Sequence, residues 1–163
     1  MTASTQIVPA RPPPAPLELV EIGPAAAPLL RATYVQIWEG LASGGRMEWS
    51  DSQWEQELSR PGVRAWLARV DRNVAGLVEL EAEPKGDVGI VVFGLIPEFV
   101  GRGFGGALLT LATETAWKWR WEARDGICTK RVWVQTSSDD HSHALRNYER
   151  RGFRRFRIER RTV

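Results

Sequence analysis

Cysteine is almost absent: Cys128 is the single one in 163 residues. That excludes an intrachain disulfide and every multi-cysteine metal site, and it points to a reducing compartment. Long apolar runs are missing too, so no segment is suited to spanning a bilayer. The N-terminus lacks an apolar core of signal-peptide length behind a basic start, which makes the cytoplasm the expected location. Charge of one sign is not in large excess, with 22 basic and 20 acidic residues giving a net +2. No cluster of ligand residues implies a metal. The length fits one domain with a single core. A hydrophobic content of 43% against 26% charged residues is that of an ordinary globular protein.

What is present is unevenly distributed. Residues 1–16 are rich in Pro and Ala (Pro9, Pro12, Pro13, Pro14, Pro16) and read as a disordered or polyproline-like tail ahead of a domain at 17–163. Seven arginines and one acid lie between Arg150 and Arg161. Such a run can attract nucleic acid or an anionic ligand, but a solvated strand face is the preferred reading.

The periodicity predicts a strand at Leu17–Ile22, a helix from Ala25 to about Leu41, and a short helix capped by Ser50 or Asp51 and stopping before Pro61. Strands follow at Val63–Val70, Val74–Ala82 and Val88–Ile96, with turns at Asp71-Arg72-Asn73 and Pro84–Asp87. The third is a continuous apolar run, as in a strand buried on both faces. A helix after Gly106 carries Leu108, Leu109, Ala112, Ala116 and Trp119 on one stripe. A polar break at Arg124–Thr129, a strand at Arg131–Thr136, a short helix capped by Asp139 or Asp140 and ended by Gly152, and a strand over Phe153–Val163 complete the chain. The order is β-α-α-β-β-β-α-β-α-β.

Between the buried strand and the third helix lies Val100-Gly101-Arg102-Gly103-Phe104-Gly105-Gly106. Glycines there let the backbone coil tightly and aim its N–H groups at one point, and the helix N-terminus adds its positive dipole end. The expected product is an anion cradle fit for a pyrophosphate, with Arg102 at its rim. Gly101, Gly103 and Gly106 also satisfy G-x-G-x-x-G. The dinucleotide reading of that pattern is disfavoured by the turn's late position and by Pro97–Val100, which separate strand from glycine.

The segment Phe93–Leu109 resembles the cofactor-binding motif of the GNAT N-acyltransferases. Asp140–Phe153, with Ala144, Tyr148 and Gly152-Phe153 at matching spacings, resembles their C-terminal motif. The resemblance implies an α+β fold: a mixed sheet with helices on both faces. It implies acetyl-CoA as acyl donor and a small-molecule or peptide amine as acceptor, with no metal. A bulge near Gly94 would splay that strand from Arg131–Thr136 to admit the pantetheine arm. The main chain of Leu95 and Ile96 would pair with the arm, and N–H groups of Val100, Gly101, Arg102, Gly103, Phe104, Gly105 and Gly106 would hold the pyrophosphate. Tyr148 would protonate the departing thiolate. Homodimers are common in the family.

Two positions depart from the pattern. Val100 replaces the usual Gln or Arg, and Gly89 stands where many members carry a Glu base. Glu79, sharing a strand face with Glu81, and His141 are the substitute base candidates. Tyr34, Trp38, Trp49 and Trp54 would line the acceptor side and suit a cation. The expected activity is direct acetyl transfer to a primary amine. The alternative is a catalytically weakened acetyl-CoA sensor or partner-binding module.

Overall fold

The computed structural model describes residues 1–41, 45–121, 127–137 and 140–158. Strands β1 (Leu17–Ile22), β2 (Val63–Val70), β3 (Asn73–Ala82), β4 (Asp87–Leu95), β5 (Arg120–Trp121), β6 (Ile127–Cys128) and β7 (Arg131–Val134) alternate with helices α1 (Ala27–Trp38), α2 (Asp51–Leu58), α3 (Phe104–Trp117) and α4 (Ala144–Arg150). The main sheet runs β1-β2-β3-β4-β7, and β5-β6 form a separate two-stranded ribbon. Neighbours from β1 to β4 are antiparallel, while β4 and β7 are parallel. Among the described residues no helix is long and apolar enough to cross a membrane.

Local chemistry accounts for these elements. Ala27, Leu30, Tyr34 and Ile37 recur at helical spacing and are buried, so α1 packs one stripe onto the sheet. Ser50 caps α2: its hydroxyl accepts from the Gln53 N–H while the Gln53 side chain returns to the Ser50 N–H, a capping box. Asp71 (φ 49°) and Arg72 (φ 69°) form the tight turn between β2 and β3, the left-handed pair that matches strand twist.

The core lies on both sides of the sheet. Ala75 and Leu77 of β3 face α1 and α2, with Trp54 and Leu30. Val78, Leu80 and Ala82 face α3 and α4, with Leu108, Leu109, Ala112 and Tyr148. Helices therefore cover both faces, as the expected fold class requires.

Three segments differ from expectation. The closing strand is missing from the described part of 153–163: Phe153–Ile158 forms no strand, and Phe156 and Ile158 are exposed. At the edge of β7 the Val132 N–H instead donates to the Met1 carbonyl at 2.9 Å, and the Met1 ammonium donates to the Val132 carbonyl at 3.0 Å. Residues 1–16 follow the domain surface rather than hanging free. Val8 N–H donates to the Arg151 carbonyl and Ala10 N–H to Thr110 Oγ1. Their prolines explain the composition, because a polyproline-like chain is already extended and loses little entropy when it docks. Finally, α4 begins after His143 without a side-chain cap. Asp140 is used elsewhere, and Asp139 lies outside the described residues, as do most of the Ser43-Gly44-Gly45 break and residues 124–126 of the polar break.

Candidate active site

The register of β3 against β4 slips between Glu79, which faces Val92, and Leu80, which faces Ile90. Val91 is the extra residue of a β-bulge. The side-chain alternation slips with it: Ile90 packs with the α3/α4 core and Val92, two residues on, with the α1/α2 core. The pairing of β4 with β7 ends at the same level, at Ile90–Val134. Beyond it, among the described residues, the β7-side edge of β4 has no paired strand and lies open. The bulge thus sits three residues before Gly94, the position expected from sequence.

A groove of about 890 Å³ occupies that opening, large enough for an extended ligand. One end is the glycine turn. Gly101 (φ 75°) and Gly103 (φ 89°) are left-handed, a conformation costly for any residue with a Cβ. Gly103 starts α3 with no side-chain cap, which leaves the first N–H groups of the helix to meet a ligand. Val100, Gly101, Gly103, Gly105 and Gly106 line the groove. Asn147 of α4 braces the turn by donating from Nδ2 to the Gly105 carbonyl at 3.1 Å. A left-handed, uncapped, glycine-walled helix start beside an open strand edge fits a phosphate-bearing extended molecule.

Several groups of the expected site have partners within the chain. Arg102 donates to the Glu98 carbonyl and lies over the Phe99 and Phe104 rings. The Phe104 ring is buried against Phe99. Val100 N–H donates to the Pro97 carbonyl, and Ile96 N–H donates to the Ala75 carbonyl on β3. By strand alternation the N–H and C=O groups of Leu95 and Phe93 point to the open edge, whereas those of Ile96 do not.

Tyr148 is 6% exposed and lines the groove, with its ring 6.0 Å from Phe93 and 6.4 Å from Phe153. Burial, and secondly the charge of Asp140, push its phenol well above the ordinary value, so it holds its proton. Gly89 has a steric cause. A Cβ there would lie 2.5 Å from Trp133 Cζ2, so the indole fills the room an acid would need.

The two substitute bases fare differently. Glu79 follows Ala75 and Leu77 on the α1/α2 face and is 0% exposed. Nη1 of Arg46 spans its two oxygens at 2.9 and 3.0 Å, and Nη2 reaches Glu57 at 3.4 Å. Arg46, stacked on Trp49 and Trp54, therefore lies between Glu79 and the groove. Burial still raises the Glu79 carboxyl to about 7, with Arg46 opposing. His141 does line the groove. It is exposed, and its Nδ1 accepts from the His143 N–H at 3.3 Å. Tyr34 and Trp38 stack at 4.3 Å along one wall, while Trp54 is fully buried.

The sequence reading missed Arg46, Asn147, Trp133 and Asp140. Asn147 adjoins Tyr148 in the C-terminal motif, and Asp140 stood in that motif as a helix cap. Arg46 carried no local signal, since its partners lie on distant elements.

The family model for the GNAT acetyltransferases matches residues 30–153. The chain belongs to the GNAT acetyltransferase family. It is accordingly an N-acetyltransferase drawing on an acyl-CoA donor. A search of the curated proteins finds no match. Among solved structures, this GNAT chain is similar to an aminoglycoside acetyltransferase from an uncultured soil metagenomic sample in complex with sisomicin (13% identity, TM-score 0.62, covering 90% of this chain and 96% of that one). It is also similar to the aminoglycoside N-acetyltransferase AAC(6')-Iy in complex with CoA (15%, TM-score 0.59, covering 94% and 99%). A third is the ribosomal-protein-alanine N-acetyltransferase from Brucella melitensis biovar Abortus 2308 (18%, TM-score 0.59, covering 91% and 99%). At these identities the likeness is one of fold.

Proposed function

We propose that this enzyme acetylates a primary amine by direct attack on the thioester, with donor and acceptor held together in the groove. Acetyl-CoA supplies the activated acetyl group. The turn from Gly101 to Gly106 would hold its pyrophosphate, and the open β4 edge at Phe93 and Leu95 its pantetheine arm. Tyr148 is the observation that carries the reading. A buried phenol that keeps its proton, in the groove beside the open strand edge, can offer its O–H to a departing thiolate.

Two-substrate kinetics test this. CoA thiol release would be followed with acetyl-CoA against spermidine, neamine, lysine and an alanyl dipeptide. Direct attack gives intersecting reciprocal plots, and parallel plots would rule it out by requiring an acetylated enzyme. The filling of Gly89 by Trp133 favours a second reading, a donor-binding module of reduced activity. Tight CoA binding with no turnover of any amine would support that reading instead.

A further inference from the structure

Glu79 is screened from the groove by Arg46, and Gly89 is overlaid by Trp133, so neither β3 nor β4 offers a carboxylate to the groove, while His141 lines it with Nδ1 already accepting from the His143 N–H. One carboxylate remains among the described residues lining the groove: Asp140. Its Oδ2 accepts from Thr136 Oγ1 at 2.7 Å and from the Ser137 N–H at 3.0 Å. Both donors lie in the segment leaving β7, on the side where β4 and β7 part. That geometry fixes one oxygen and orients the carboxylate as a unit. Tyr34 on α1 and Tyr148 on α4 line the same groove, and the charge of Asp140 contributes to raising both phenols.

We propose that Asp140 is the residue that binds the acceptor's ammonium group and takes its first proton. This rests on the amine-acetylation reading above. The proton balance is as follows. An acceptor R–NH₃⁺ gives one proton to the Asp140 carboxylate, which later releases it to solvent. The neutral nitrogen forms the N–C bond as the C–S bond breaks, and the electron pair goes to sulfur. Tyr148 protonates the sulfur and is restored by the second proton leaving nitrogen. Amide, free CoA thiol and one released proton result.

The other charged and titratable groups lining the groove with Asp140 are Tyr34 from α1, Arg46 from the following loop, and His141, His143, Arg146, Tyr148 and Arg150 from the α4 side. Asp140→Asn is the informative variant, because the amide oxygen can still accept from Thr136 and Ser137. The expected result, with the best acceptor among spermidine, neamine, lysine and the alanyl dipeptide, is a loss of about 100-fold in kcat/KM for the amine near about pH 7. The Kd for acetyl-CoA should stay unchanged. The defect should shrink toward about pH 9.5, where alkylamines near pKa ~10.4 supply more neutral form themselves. Asp140→Glu should retain more activity than Asp140→Asn, a rescue that a packing role would not give. An unchanged kcat/KM, an equal loss at every pH, or a parallel weakening of acetyl-CoA binding would overturn the assignment while leaving amine acetylation standing. Failure of the unaltered enzyme to acetylate any of these amines would overturn both.

Discussion

The two ends of the groove are made of different material. At the glycine turn the surface is main chain: left-handed Gly101 and Gly103 and the uncapped start of α3. At the opposite end it is side chain, with Arg46 bridging Glu79 and Glu57 and the Tyr34–Trp38 stack beside it. A main-chain site comes from one short run of residues and tolerates little change in backbone conformation. A side-chain site gathers residues from several elements and depends on charge balance. The first end should therefore fail by conformation and the second by electrostatics.

Tyr148 sits where the two meet, and Tyr148→Phe should have the largest effect. Turnover should fall by about two to four orders of magnitude while both binding constants hold, as single-turnover and equilibrium titrations would show. Next comes Arg46→Met, which strands the fully buried Glu79 without its partner. Denaturant titration near about pH 8 should show a loss of about 3–5 kcal/mol. The Glu79 carboxyl is raised to about 7, above its unfolded value of 4.5. The native state thus holds the extra proton between those values, and this group's contribution to stability declines as pH rises through about 7. The Arg46→Met deficit should consequently shrink on acidification, as Glu79 becomes neutral.

Gly89→Glu installs the acid that the family resemblance leads one to expect there, against Trp133. Overpacking should cost about 1–3 kcal/mol, and the combined Gly89→Glu, Trp133→Ala variant should recover part of it in thermal melts. Gly103→Val tests the main-chain end. A left-handed β-branched residue costs about 1–2 kcal/mol, which corresponds to about tenfold in acetyl-CoA Kd, with the amine KM unmoved. The smallest effect should be Ser50→Ala. Losing that cap should cost about 1 kcal/mol of stability and leave both ends of the groove working.

The same contrast explains what could be read from the sequence. The glycine run between an apolar strand and a helix, and the Tyr148–Phe153 spacing, are local signals, and they carried the family and the element order. The Val91 bulge is not local, because it exists only as a slip against β3. Glu79 looked like a groove residue since its face was known only by parity; the burying partner, Arg46, comes from a loop with no periodicity. The Phe153–Val163 strand was inferred from the chain's tendency, while in the structure Met1 pairs at the Val132 edge and Phe156 and Ile158 face solvent.

The parting of β4 and β7 also bears on the protein without its donor. Past Ile90, among the described residues, the sheet has an interior edge with no strand on the β7 side, the kind of exposed ladder that invites pairing with another chain. An arm that hydrogen-bonds along Phe93 and Leu95 would act as a missing strand, so donor occupancy becomes part of folding energetics. At a donor concentration of 100 Kd the linkage is about 2.7 kcal/mol. Amide exchange at Phe93 and Leu95 should slow when CoA is added, and the donor-depleted protein should be the form that self-associates.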